Sequence, residues 1–96
     1  MLIIVVYDID FTDEGGPKRL QKVSKLCEKY GQRAQNSVFE CKIQWDKFLE
    51  FKKELTKTID VSKDSVTIYN LGNKWQNKVE KIGIEKSLNP DSPIII

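Results

Sequence analysis

The chain has 96 residues, 40% of them hydrophobic, which predicts one small domain with a single core. Its 16 lysines and arginines against 14 aspartates and glutamates give a net charge of +2, too little by itself to indicate a nucleic-acid partner. The chain has no histidine, which excludes Ser-His, Cys-His and His-metal chemistry. Cys27 and Cys41 are too few for a zinc site, and two free thiols fit a reducing, cytoplasmic compartment. No stretch reaches the length of a membrane span.

The first predicted element is a strand over residues 2–8, a continuous apolar run that ends on Asp8. Because the chain enters this strand directly, we expect a strand here and not a signal peptide. An acidic, glycine-rich loop follows, and Pro17 marks the first turn of a helix. The apolar residues of that helix recur at helical spacing: Leu20, Val23, Cys27 and Tyr30. Gly31 is predicted to end the helix as a left-handed cap.

The middle of the chain, RAQNSVFECKI, predicts two short strands or one strand with a sharp break at its Asn-Ser pair. Asp46 is predicted to cap a second helix. The apolar stripe of this helix is formed by Trp45, Phe48, Leu49, Leu55 and Ile59. The segment DSVTIYNL predicts a further strand with Val66 and Ile68 on one face, ended by Gly72.

The resulting order, β-α-β-β-α-β, predicts a ferredoxin-like α+β sandwich with two helices on one face of an antiparallel sheet. We assign residues 1–72 to this core. Residues 73–96 form a C-terminal extension of the same single domain, because they hold too few apolar residues for a second core.

Asp8 is the first candidate for chemistry, because ligands in layered α/β structures bind beyond the strand ends. The alternative is an ordinary turn-forming aspartate. Without histidine, an enzyme of this composition depends on carboxylates and a hard metal ion. One carboxylate makes a poor Mg²⁺ site. We therefore predict a two-fold dimer in which the ends of the two first strands meet, so that each protomer contributes its Asp8 to one site.

Basic residues along the first helix are the second candidate. Steps of four, three and four place the lysines on one side of the helix: Lys18, Lys22, Lys25 and Lys29. This stripe is either a solvated helix face or a surface that contacts phosphates. Arg19 and Arg33 favour phosphate contact, because the planar guanidinium of arginine matches phosphate geometry.

Several segments of the chain resemble one known family. The segments VVYDI, KRLQKVSKLCEKYGQR, AQNSVFEC, DSVTIYNLG and WQNKVEKIG look like the small CRISPR-associated adaptation nucleases, the Cas-two family, in the form found in type I-C systems. The resemblance runs from Met1 to the C-terminus.

The resemblance implies a ferredoxin-like fold and a homodimer in which an extra C-terminal strand crosses to the partner, burying Val79 and Ile82. It implies a Mg²⁺ site at Asp8, with Mn²⁺ as an alternative ion. It further implies cleavage of RNA or double-stranded DNA, and action in spacer acquisition with a companion integrase. We expect Lys18, Arg19, Lys22 and Arg33 to bind the nucleic acid, and no membrane to be involved.

Two functions remain in competition. The first is a metal-dependent endonuclease that hydrolyses phosphodiester bonds, and the second is a non-catalytic, DNA-bound scaffold of the spacer-integration complex. An RNA-binding domain is disfavoured, because no RNP1-type segment is present. At the C-terminus, Ile94, Ile95 and Ile96 are predicted to fold back or to pair with an edge of the integrase.

Overall fold

The computed structural model describes residues 1–80 and residue 82. Its elements are β1 (Leu2–Asp8), α1 (Gly16–Tyr30), β2 (Gln32–Gln35), β3 (Val38–Lys42), α2 (Trp45–Thr58) and β4 (Ser65–Gly72). The strands form one antiparallel sheet in the order β2-β3-β1-β4. This confirms the predicted element order and the ferredoxin-like class.

The sheet has two unequal faces. Ile3, Val5 and Tyr7 of β1 are buried against both helices, in a core that includes Val23 and Phe51. The intervening residues of β1 point the other way, because side chains alternate along a strand. On that side Leu2 is buried, and five residues are half-buried or exposed: Ile4, Val6, Val38, Thr67 and Tyr69. We call these five residues the open face.

Helix α1 begins as predicted, with Pro17 in its first turn, but its end differs from the prediction. Gly31 has φ −158° and ψ −161°, which is extended backbone, so the predicted left-handed cap is wrong. The glycine is needed for another reason. A Cβ at this position would collide with the Cys41 sulfur and the Glu40 carbonyl oxygen, because the chain turns directly from α1 into the sheet.

Helix α2 is preceded by Gln44, and no side chain caps it. The predicted capping function of Asp46 is therefore wrong; this residue lies in the first turn, where its charge still favours the positive end of the helix dipole. Phe48 and Leu55 are buried as expected, whereas Trp45 and Leu49 are 59% and 48% exposed. The helix instead buries Phe51, which stacks on the ring of Tyr30.

The two cysteines lie inside the core. Cys27 and Cys41 are free thiols with no exposed surface, and burial raises the pKa of each to about 12. A thiol with so high a pKa is almost entirely protonated at neutral pH and is a poor nucleophile. Cys27 is thus a packing residue, as the sequence indicated.

Strand β4 confirms the predicted pattern, because Val66 and Ile68 pack against the core. The strand ends at Gly72, whose φ of 74° is a left-handed conformation that favours glycine. Beyond it, the Lys42 ammonium lies 4.7 Å from the ring of Trp75. Neither described helix has the length and apolar character that crossing a bilayer demands. The prediction for Ile94, Ile95 and Ile96 lies outside the described residues.

Candidate functional site

Asp8 is the last residue of β1, and its side chain is exposed. Strand alternation places it on the same side of the sheet as Ile4 and Val6, at the end of the open face. Among the residues that the structure describes, no hydrogen bond or ion pair engages its carboxylate. The turn-forming alternative applies to a different residue, because Asp10 accepts hydrogen bonds from the Thr12 backbone N–H at 2.8 Å and the Thr12 hydroxyl at 2.6 Å.

One protomer alone does not supply a complete metal site. Within residues 1–80 and residue 82, no group of three or more aspartates, glutamates, cysteines or histidines could hold a metal ion. The oxygen donors of Asp8 suit Mg²⁺ and Mn²⁺, which are usually held by one or two carboxylates together with water and substrate phosphate. Asp8 thus fits a divalent ion only if a second copy of the chain, water or phosphate provides the other ligands.

Charged residues from two loops and from helix α1 meet on the helix side of Asp8, in a group we call the Arg19–Asp64 cluster. Its members are Asp10, Asp13, Arg19, Asp60, Lys63 and Asp64. The Asp64 side chain has no exposed surface, and its carboxylate accepts hydrogen bonds from Arg19 Nε at 2.8 Å and Nη2 at 3.2 Å. The same carboxylate accepts from the backbone N–H groups of Asp10 at 3.0 Å and Asp60 at 2.8 Å.

The guanidinium of Arg19 forms its contacts mainly with carboxylates of its own chain. Besides Asp64, it contacts Asp13, with Nη1 and Nη2 each 3.1 Å from a carboxylate oxygen. Only 15% of the Arg19 side chain is exposed. Lys63 closes the cluster from outside, with its ammonium 2.7 Å from Asp13. The structure therefore brings Arg19 together with the acidic loop and not with the lysine stripe.

The cluster shifts the pKa values of its members in the directions expected for ion pairs. The hydrogen bonds from Arg19 lower the pKa of Asp64 to about 2, with the two backbone N–H groups adding to the effect. Hydrogen bonds from Arg19 and then Lys63 lower the pKa of Asp13. The pKa of Arg19 is raised further by Asp64 and Asp13, so the guanidinium stays charged at every accessible pH.

Asp64→Asn is expected to lower the free energy of unfolding at neutral pH by about 3 kcal/mol, because it removes one charge of a buried pair. The folded-state pKa of Asp64 lies below the unfolded value of about 3.9, so the stabilisation is complete above that value. It is lost as pH falls towards 2. Denaturant unfolding at several pH values should thus show the variant and wild type converging in acid. A pH-independent difference would contradict this, and Asp46→Asn serves as an exposed-carboxylate control.

Arg33 lies on β2, on the helix side of the sheet. Its guanidinium carbon is 4.8 Å from the centroid of the Phe39 ring, and it donates hydrogen bonds to Ser24 Oγ and to the carbonyl oxygen of Asn36. Glu28 adds an ion pair at 3.2 Å. Arg33 is thus held at the edge between α1 and β2.

Lys18 and Lys22 are exposed along the outer side of α1, together with Lys25. Among the described residues none of these three ammonium groups has an ion-pair partner, whereas Lys29 lies 4.0 Å from Glu54. The lysines share one flank, but in a single protomer the sheet separates them from Asp8. The structure thus brings Lys18 and Lys22 together and leaves Asp8 on the opposite side.

The predicted interface residues follow β4. Val79 is half-buried within its own chain, and Ile82 is 90% exposed.

Asp64 and Asp13 were not predicted from the sequence. Their partner Arg19 is 45 residues from Asp64 along the chain, so no local spacing rule connects them. One usable signal was present: Asp64 is the first residue of the predicted strand segment DSVTIYNL, and an aspartate at a strand end has backbone N–H groups within reach.

Comparisons with known proteins agree with this architecture. The family profile described as "CRISPR associated protein Cas2" matches residues 1–79. The chain is 48% identical over 95 residues to a protein named CRISPR-associated endonuclease Cas2 from Halalkalibacterium halodurans, covering 99% of each. It is 41% identical over 96 residues to the CRISPR-associated endoribonuclease Cas2 of Nitratidesulfovibrio vulgaris, covering 100% of this chain and 94% of that one.

The fold is also similar to solved structures. The crystal structure of Streptococcus pyogenes Cas2 at pH 6.5 matches with a TM-score of 0.74 and 47% identity, over 86% of this chain and 100% of the other. The predicted family is thus confirmed by sequence and by fold, and the chain belongs to the Cas2 family of CRISPR-associated proteins.

Proposed function

We propose that the protein is a metal-dependent endonuclease that hydrolyses phosphodiester bonds of RNA or double-stranded DNA during CRISPR spacer acquisition. The observation that carries the proposal is the carboxylate of Asp8, which is exposed at a strand end and unengaged within the described residues. Relatives named endonuclease and endoribonuclease, at 48% and 41% identity, support the reaction class.

A homodimer formed through the open face would complete the site. Its central residues, Ile4 and Val6, are only half-buried, and Tyr69 is 55% exposed, so one chain leaves apolar sheet surface in contact with water. Pairing two such faces about a two-fold axis covers this surface and turns both Asp8 carboxylates towards the axis. In this dimer the C-terminal strands exchange, and Val79 and Ile82 bury against the partner.

The two Asp8 carboxylates would hold Mg²⁺, or Mn²⁺ in its place, and the ion would supply Lewis-acid chemistry for phosphodiester hydrolysis when bound there. Lys18 and Lys22 contact the phosphate backbone from the exposed flank of α1, and Arg33 contributes from the β2 edge. Arg19 is largely committed to carboxylates of its own chain, so any phosphate contact uses its small exposed portion.

The double reversal of Lys18 and Lys22 to glutamate is expected to weaken duplex binding and to flatten its salt dependence. Each phosphate contact contributes about 0.9 to the slope of log K against log salt, so losing two should reduce the slope by roughly 2. Fluorescence anisotropy with a labelled duplex at several salt concentrations measures both quantities. Lys53→Glu with Lys57→Glu on α2 is the matched control. Equal losses in both pairs would show that the α1 flank is not the interface.

The alternative function is a non-catalytic scaffold that holds duplex DNA beside the companion integrase. The observation that favours it is the absence, among the described residues, of any group of three or more side chains that could hold a metal ion. A nuclease assay and a spacer-acquisition assay on the same Asp8 variant separate the two functions.

A further inference from the structure

We propose that Asp64 and Arg19 are positioning residues that fix the end of β1, and thereby the location of Asp8 in the metal site. The inference rests on the proposed function, because it assumes that Asp8 holds the ion. Neither residue is assigned to metal or phosphate contact. They act through the backbone on either side of Asp8.

The connection from Asp64 to Asp8 is short. Asp8 is in register with Ser65, the residue directly after Asp64, in the antiparallel pair of β1 and β4. Asp64 then accepts a hydrogen bond from the backbone N–H of Asp10, two residues beyond Asp8. The strand end that carries Asp8 is therefore tied to β4 both before and after the chain leaves the sheet. Ile9, between the two ties, is 3% exposed and anchored in the core.

Arg19 fixes the orientation of the Asp64 carboxylate. Its Nε donates to Oδ2 at 2.8 Å and its Nη2 to Oδ1 at 3.2 Å, so both oxygens are held by one planar group. Asp60 donates its backbone N–H to the same carboxylate from within the loop that carries Asp64. With these bonds made, Asp64 cannot rotate without leaving a buried charge unpaired.

Accurate positioning matters more here than in a site built from one chain. A displacement of the β1 end is repeated in the second copy, so the separation of the two Asp8 carboxylates changes by up to twice that displacement. Mg²⁺ requires oxygen ligands at about 2.0–2.1 Å in nearly octahedral geometry. Loss of groups that orient metal ligands typically costs about 10- to 100-fold in metal affinity or activity.

The burial of these residues distinguishes positioning from direct contact. The Asp64 side chain is fully buried, so it cannot reach an ion on the open face. All three guanidinium nitrogens of Arg19 already donate to Asp13 or Asp64. A residue that bound phosphate would instead keep donors free towards solvent, as Lys18 and Lys22 do.

Mn²⁺ binding in the absence of nucleic acid tests the proposal directly. Isothermal titration of the full-length protein with Mn²⁺ is expected to show a dissociation constant about tenfold weaker for Asp64→Asn and for Arg19→Gln than for wild type. Arg19→Lys, which keeps the charge but not the planar fork, should fall between wild type and Arg19→Gln. Duplex affinity and its salt slope should not change, and cleavage should recover at high metal concentration.

The outcomes distinguish the inference from the function on which it rests. One outcome would overturn only the positioning function. In it, folded Asp64→Asn and Arg19→Gln bind Mn²⁺ as tightly as wild type, whereas Asp8→Ala does not bind it. If duplex binding by Arg19→Gln depends less steeply on salt than binding by wild type, the positioning function is overturned and Arg19 contacts phosphate directly. Equal Mn²⁺ binding by wild type and Asp8→Ala would instead overturn the proposed metal site. Circular dichroism establishes that each variant is folded. If Asp64→Asn is unfolded, the Arg19→Lys comparison decides the question.

Lys47→Gln is the matched control for the loss of an ion pair. It breaks an exposed pair with Glu50, 3.4 Å away on α2, and this pair has no connection to β1. Its Mn²⁺ affinity should equal that of wild type. A tenfold loss in this control as well would show that the effect is not specific to the Arg19–Asp64 cluster, and would overturn the proposal.

Discussion

Asp8→Ala is expected to reduce metal-dependent cleavage by about 1000-fold, equivalent to roughly 4 kcal/mol of transition-state stabilisation. The loss is large because the same substitution removes a metal ligand from both protomers of the dimer. Asp8→Asn keeps the size of the side chain and one oxygen but loses the charge, so it should be almost as inactive. Cleavage of a labelled duplex or RNA by each purified variant, with and without chelator, measures the effect.

Asp46→Asn is the control for this experiment, because it also removes an exposed carboxylate, but from α2 on the other side of the sheet. It should cleave like wild type and respond to chelator in the same way. Undiminished cleavage by Asp8→Ala would exclude the proposed site. If Asp8→Ala loses cleavage but still supports spacer acquisition with the integrase, the scaffold is the function that matters in the cell.

Truncation of the chain after Leu71 is expected to convert the dimer to a monomer, because it removes Val79, Ile82 and the strand proposed to cross to the partner. Truncation after Pro90 should leave the dimer intact and weaken only integrase binding. Sedimentation velocity over a range of protein concentrations measures the first effect, and a pull-down with the integrase measures the second. A dimer that persists after the longer truncation would show that strand exchange does not hold the protomers together.

A charge on the open face tests the same dimer without shortening the chain. Val6→Asp places two like charges in a desolvated interface and should weaken dimerisation by several kcal/mol, about 100-fold or more in dissociation constant. Cleavage should decline with it, since the Asp8 carboxylates are then separated. Leu49→Asp on α2 is the matched control, because Leu49 is also a partly exposed apolar residue but lies on the helix side. If both variants remain dimeric, the open face is not the interface.

The alternation of apolar and polar residues determined how much of the fold could be predicted. Helical spacing located α1, and the strand-forming segments located the sheet. The continuous apolar run of β1 concealed which of its residues face water, since Ile4 and Val6 differ from Ile3 and Val5 only in direction. That distinction depends on tertiary packing, which places both helices on one side.

The candidate site could be predicted only where it depends on local chemistry. Asp8 was identifiable because it ends a strand, and the lysine stripe because its spacing is helical. Arg19 was predicted to bind phosphate, but in the fold it is paired with Asp64 from the loop between α2 and β4. No local sequence pattern predicts a pair between residues so far apart in the chain. The end of α1 was mispredicted for a similar reason. Gly31 is required there because a side chain would collide with Cys41 in β3, and this contact is not visible in the local sequence.

The Arg19–Asp64 cluster also makes the distribution of charge over the molecule uneven, which the net charge of +2 does not reveal. Four carboxylates lie with two cationic side chains at the loop end, and only those of Asp13 and Asp64 are paired with them, while lysines line the flank of α1. A polyanion in solution is repelled from the loops and attracted to the flank before any contact forms, so diffusional encounters are biased in orientation. This bias extends over about one Debye length, roughly 10 Å at 0.1 M salt. The negative charge that the ion pairs leave uncompensated therefore helps decide from which side a nucleic acid approaches.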